Sequence, residues 1–323
     1  MNADFRPFPW LRNPHLQTVI ANFLVSPEFR GPVREVYVHL TDGDQLVLHD
    51  SKPSVWRAGG PVALLVHGMG GSHQSAYMQR VTNLLLNRGW RAVRMDLRGC
   101  GRGAGLARAL YTAGSSHDVR AAVEEIQRWC PGSPVALIGF SLGGNIVLKL
   151  AGEAGDRSVA GLDRVVALAP PIDLEKCADL LARRGNRLYN QYFVRDLVTQ
   201  LRHNERNLPD ARRTRLPRHL TVRLFDEVYT APRSGFKDAL DYYRRSSSAP
   251  LLHRIPMPTL ILTARDDPFI AVEPFEIAKA PGHVAIKIMP YGGHLGFIGP
   301  DGAGGVRWGE RYVTEWITNG LPV

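Results

Sequence analysis

One stretch constrains this chain more than any other. Val135-Ala-Leu-Ile-Gly-Phe140 is a continuous apolar run, and Ser141-Leu-Gly-Gly-Asn-Ile-Val-Leu148 follows it with helical character. This reads as strand, sharp turn and helix, with a serine at the turn. The run is apolar without alternation, as in a strand covered on both faces. Gly139 and Gly143 stand two residues before and two after Ser141. A side chain at either place would collide with the neighbouring strand and helix. The helix start beyond Ser141 leaves backbone N–H groups without intrahelical acceptors.

The same alternation continues along the chain. Val62-Ala-Leu-Leu-Val66 is a second buried strand, ending in His67-Gly-Met-Gly-Gly-Ser72, with a helix to about Asn87. Arg91–Asp96 is a strand, and Ser116–Trp129 is an amphipathic helix with Val119, Ala122, Val123 and Ile126 on one face. Arg164–Ala169, Thr259–Thr263 and Val284–Met289 are further strands, and Val306–Ile317 is a closing helix. Alternating strands and helices predict an α/β fold with a mostly parallel, doubly wound sheet. Two departures flank that pattern. Val33–Leu40 and Gln45–His49 alternate apolar and polar residues around the turn Thr41-Asp-Gly-Asp44, which predicts an N-terminal antiparallel hairpin. Residues 172–250 show helical but no strand pattern, so they are expected to form a helical cap insertion above the carboxyl ends of the strands. Residues 1–32 are expected to be an extended arm that lays Phe8, Trp10 and Leu11 on the rest. The whole chain, 1–323, then reads as one domain.

Three strand ends carry the chemistry. Ser141 follows one strand, Ala264-Arg-Asp-Asp-Pro268 a later one, and Gly292-Gly-His-Leu-Gly296 the last. A serine hydroxyl is a weak nucleophile, and an imidazole must take its proton during attack. His294, in a glycine-rich loop, is the candidate base. A carboxylate should hold the other ring nitrogen. Asp266 and Asp267 compete for that role; Asp267 is preferred, because a small residue three positions earlier (Ala264) makes the expected turn. Two backbone N–H groups should receive the oxyanion, those of Leu142 and Met69. His67 is expected to prop the loop rather than act as a base. Asp96 is expected to brace Arg98. His49 and His73 show no clear partner, and Cys100 has no assigned base.

These segments, with Trp10-Leu-Arg-Asn-Pro-His-Leu-Gln-Thr18, Leu97-Arg-Gly-Cys100, Leu110–Gly114, Phe225-Asp226, Thr230-Ala-Pro232 and Tyr242-Tyr243, resemble the YheT-like (AB hydrolase 4) family of the α/β-hydrolase superfamily. The resemblance implies the α/β-hydrolase fold and a carboxylic ester hydrolase (carboxylesterase) with a serine, acid and histidine triad, carried here onto Ser141, Asp267 and His294. Some members act on lipid or medium-chain acyl esters and some are acyltransferases.

The expected activity is therefore serine ester hydrolysis through an acyl-enzyme, on short- to medium-chain or lipid-like acyl esters. Acyl transfer to an alcohol by the same triad is one alternative. A non-catalytic binding protein on this fold is another. No metal and no organic cofactor is implied. Composition narrows the partners. The net charge is +10, and the segment 172–250 holds 16 Lys+Arg against 10 Asp+Glu. Those basic residues are scattered, so nucleic acid is not expected, while a weak contact with an anionic membrane is left open. No run of about 18 apolar residues predicts a membrane span, and the N-terminus lacks a secretory pattern. Cys100, Cys130 and Cys177 lack metal-type spacing and read as reduced thiols of a cytoplasmic protein. Leu180, Leu181, Leu188, Tyr189, Tyr192, Phe193 and Leu197 are expected to roof an apolar acyl pocket.

Overall fold

A computed structural model describes residues 5–24, 29–208 and 213–319. Among these residues, eight strands form one sheet: β1 (Arg34–His39), β2 (Gln45–Ser51), β3 (Val62–Val66), β4 (Arg91–Asp96), β5 (Val135–Phe140), β6 (Leu162–Leu168), β7 (Thr259–Ala264) and β8 (Val284–Met289). Their spatial order is β1-β2-β4-β3-β5-β6-β7-β8. The hairpin β1–β2 joins β4 antiparallel, and every pairing from β4 to β8 is parallel. The chain thus forms the α/β-hydrolase fold.

Strand alternation explains how the sheet is covered. In β3, Val62, Leu64 and Val66 face one layer, which holds α3 (Ser116–Trp129) and α4 (Leu142–Glu153). Ala63 and Leu65 face the other, which holds α2 (Ala76–Leu86) and the closing helix Trp308–Asn319. All five residues of β3 are fully buried. Successive side chains of a strand point to opposite faces, so a strand buried on both sides must be apolar throughout.

The N-terminal segment departs from the expected extended arm. After a short 3₁₀ turn at Pro9–Leu11 comes a ten-residue helix, α1 (Pro14–Phe23). Its cause is local. Asn13 caps it, its side chain accepting from the His15 and Leu16 N–H groups, and Pro14 takes the first helical position, where its missing N–H costs nothing. Leu11 is fully buried as expected, but Trp10 is 69% exposed. Of the expected arm, residues 1–4 and 25–28 lie outside the described residues.

Between β6 and β7 the described residues form helices only, among them α5 (Leu174–Leu181) and α6 (Arg187–Asn207). Asp173 caps α5 through the Lys176 N–H. A buried side chain ties this segment down. Asn145 on α4 donates to the carbonyls of Ala113 and Ser246 and accepts from the Ser248 N–H.

Candidate active site

Ser141 sits at the turn between β5 and α4 with φ 50 and ψ −121, a conformation costly for any residue with a Cβ. The two flanking glycines make that turn possible. A Cβ on Gly139 would stand 2.4 Å from the Gly143 carbonyl oxygen. One on Gly143 would stand 2.4 Å from the Val66 and His67 carbonyls, at the end of β3. The helix can therefore start beneath the serine only if both positions lack side chains.

The three expected side chains converge. His294 Nε2 lies 2.8 Å from Ser141 Oγ, and His294 Nδ1 lies 2.8 Å from Asp267 Oδ2. A carboxylate can only accept, so Nδ1 carries the proton and Nε2 presents its lone pair to the hydroxyl. Asp267 Oδ1 accepts the N–H groups of Phe269 and Ile270, which fixes the carboxylate. The His294 ring packs on Phe269, with ring centroids 4.2 Å apart. The other candidate acid faces elsewhere: Asp266 Oδ1 accepts the Gly293 N–H, and burial pushes its carboxyl above the usual range.

In the loop after β3, the N–H groups on either side of Met69 have acceptors of their own. Gly68 donates to the Tyr77 hydroxyl, Gly70 to the Tyr111 hydroxyl and Gly71 to the Gly68 carbonyl. Among the described residues, the N–H groups of Met69 and Leu142 find no acceptor in the surrounding loops. Met69, Ser141 and Leu142 all line one cavity. His67 braces this loop from below. Its Nδ1–H donates to the Gly68 carbonyl and its Nε2 accepts the Leu97 N–H, while burial holds its pKa below the ordinary value. A neutral ring with both nitrogens engaged is a strut.

The cavity is roofed by part of the expected set. Leu181, Phe193 and Leu197 line it, together with Leu174 and Cys177. Leu188 and Tyr192 do not, being 79% and 59% exposed on the outer side of α6. Tyr189 turns to the N-terminal helix instead, where its hydroxyl meets His15 Nδ1 at 3.0 Å.

Two expectations about charged groups are corrected. Asp96 does not brace Arg98. Arg98 pairs with Asp118 through Nε and Nη2 and with Asp42 and Asp44 through Nη1. Asp96 Oδ2 instead takes His49 Nε2 at 2.9 Å and His73 Nδ1 at 2.8 Å, and its Oδ1 accepts the His73 N–H. His49 and His73, without partners in the sequence reading, therefore share one buried carboxylate. These three are the one group among the described residues with metal-type spacing, their ligand atoms lying within 4.8 Å of one another. The rings stack 3.5 Å apart at 14°, and both direct a nitrogen at the same oxygen, an arrangement of hydrogen bonds.

The sequence reading missed how the N-terminal helix serves the histidine loop. Thr18 Oγ1 accepts the His294 N–H at 2.9 Å. Gln17 donates to the carbonyls of Leu11 and Ile298 and accepts the Ile298 N–H. Gly293 and Gly296 let the loop lie against α1, since a Cβ on either would meet α1 backbone at 2.5 and 2.8 Å. The Asn-Pro pair at 13–14 was the available signal for a helix here.

Comparison with known proteins agrees with this fold. A model of the alpha/beta hydrolase family matches residues 63–303. The chain is 32% identical to the Escherichia coli (strain K12) protein named "Putative esterase YheT", over 99% of this chain and 94% of that one. It is 27% identical to a monoacylglycerol lipase of Saccharomyces cerevisiae, over 92% of this chain and 65% of that longer one. It is also 27% identical to phospholipase ABHD3 of Mus musculus, over 92% of this chain and 74% of that one. Among solved structures, an esterase from Pyrococcus furiosus superposes with a TM-score of 0.58 at 18% identity, covering 90% of this chain and 94% of that one.

Proposed function

The chain belongs to the alpha/beta hydrolase family, in its YheT-like branch, and on that footing we propose that it hydrolyses carboxylic esters through an acyl-enzyme on Ser141. The observation that carries this reading is the unbroken line from Asp267 through His294 to Ser141, each link 2.8 Å, opening on a lined cavity. Relatives named as esterase, lipase and phospholipase support an ester as the substrate.

The steps follow from the geometry. His294 Nε2 takes the Ser141 proton as Oγ attacks the ester carbonyl. The carbonyl oxygen becomes an oxyanion and receives the Met69 and Leu142 N–H groups, which are fixed by the fold before substrate arrives. Asp267 stabilises the imidazolium, and His294 returns the proton to the leaving alcohol. Water, activated by the same histidine, then releases the acid. An apolar roof of Leu181, Phe193 and Leu197 suits a short- to medium-chain or lipid-like acyl group.

The test is hydrolysis of 4-nitrophenyl esters across acyl lengths, with Ser141→Ala as control. Turnover that Ser141→Ala abolishes is expected. A wild type that neither hydrolyses any of these esters nor labels with a fluorophosphonate overturns the proposal.

A further inference from the structure

Among the described residues, the cavity over Ser141 contains one carboxylic acid in an otherwise uncharged lining. Asp226 lines it together with Thr230, Tyr242 and Tyr243, while Leu, Val, Phe and Ile side chains supply most of the remaining wall. Asp226 is only 7% exposed. Its Oδ2 accepts the Tyr243 hydroxyl at 2.8 Å, and the Thr230 hydroxyl also bonds the carboxylate. No described Lys, Arg or His forms an ion pair with it. The nearby Arg223 is held by Asp179 at 2.7 Å and lies against the Tyr243 ring. Burial raises the Asp226 carboxyl to about 6.

The backbone aims this acid. Asp226 and Thr230 are the first and last residues of a π-helical turn, Asp226–Thr230. Such turns are rare, widen the helix locally and concentrate at functional sites. Here the wide turn sets both its end residues in the cavity wall, while Phe225 and Tyr229 pack into the core. A carboxylate offers about four acceptor positions, and the tyrosine and threonine hydroxyls account for two. A pocket meant only for an aliphatic chain would be cheaper with a leucine at this place, since an unmatched buried carboxylate is costly.

We propose that Asp226 is the polar end of the substrate pocket and accepts a hydrogen bond from a hydroxyl group that the substrate carries away from its ester carbonyl, on the acyl chain or on the alcohol part. This rests on the ester-hydrolase reading of the cavity. The hydroxyl is favoured over an ammonium because the surrounding wall is apolar, and a cation would have to shed its whole hydration shell there.

Binding without turnover separates the two claims. Ser141→Ala protein is titrated by calorimetry with methyl octanoate, methyl 8-hydroxyoctanoate, methyl 8-aminooctanoate and 2-hydroxyethyl octanoate, and with their shorter and longer homologues. One hydroxylated ester is expected to bind about tenfold tighter than its parent. The 8-hydroxy arm reports the acyl side and the 2-hydroxyethyl arm the alcohol side. Adding Asp226→Leu should erase the advantage. Should that variant not fold, Asp226→Asn keeps one oxygen for Tyr243 and should cut the advantage at least threefold. Equal binding of parent and both hydroxylated esters overturns the proposal, as does an advantage that survives the Asp226 change, or a preference for the amine alone. An absence of wild-type hydrolysis would sink the esterase reading and leave this binding comparison to be judged by itself.

Discussion

At Asp266 and Asp267, neighbours in sequence, the chain separates two carboxylates by what each accepts. Asp267 takes an imidazole and two backbone N–H groups; Asp266 takes the Gly293 N–H. An amide at 267 would hold His294 in the wrong tautomer, with its lone pair turned from the serine. Asp267→Asn should therefore lower kcat by about 10³- to 10⁴-fold with KM little changed. Asp266→Asn keeps an oxygen for Gly293 and should cost less than about tenfold. Steady-state kinetics on one ester decide it, and a larger loss at 266 would reverse the assignment. This choice was within reach of the sequence, because the turn from Ala264 sets which acid faces the histidine. Asp96 was not. Its partner appeared to be the nearby Arg98, but β2 brings His49 beside β4, and that pairing depends on a register no local pattern states. Where a carboxylate's partner arrives from another strand, proximity in sequence misleads.

At the level of elements, α1 does a job its composition does not announce. The sequence predicts an extended arm because proline breaks a long helix before residue 14, yet Pro14 itself is at the one helical position where proline is favoured. The helix then supplies Thr18 to the His294 N–H. Thr18→Val preserves shape and removes the acceptor. We expect about 1 kcal/mol of lost stability and a roughly tenfold lower kcat at unchanged KM, because a loosened histidine loop misplaces Nε2. Steady-state kinetics on one ester measure this split, and a rise in KM alone counts against it. The π turn at Asp226 makes a second, opposite case. Its carboxyl is raised from 3.8 to about 6, so the fold favours the protonated form. That contribution is complete below about pH 4 and is lost as pH rises through 6. A shift of about two units corresponds to roughly 3 kcal/mol. Relative to Asp226→Asn, the wild type should lose about that much unfolding free energy between pH 4 and pH 7. Denaturant titrations of both proteins at each pH measure it, and parallel pH curves would exclude the buried acid as their source.

Over the whole molecule, most of the frame was legible because it rests on local rules. Continuous apolar runs marked the strands buried on both faces, and glycines at 139 and 143 marked the tight strand-to-helix turn. What could not be read were the joints between distant segments: α1 against the histidine loop, Asn145 against residues 113 and 246, and the hairpin against the loop after β3. The last of these hangs on Asp96, which is fully buried and binds His49 from β2, His73 from the loop after β3 and the Arg102 N–H. The two imidazoles hold its carboxyl well below the usual range despite its burial. A lowered carboxylate stabilises the fold above its unfolded pKa of about 4, and that contribution is lost as pH falls through the folded value. Asp96→Asn leaves one oxygen for four donors, so it should cost about 3 kcal/mol at pH 7. The cost should shrink as pH falls below 4, where the unfolded wild type takes up a proton at this group while the folded protein still keeps it ionised. Because His73 belongs to the loop carrying Met69, the variant should also lower kcat on every ester by a similar factor, without changing the ranking of acyl lengths. Loss of stability with kcat intact would show that the knot secures the hairpin but leaves the loop carrying Met69 in place without it.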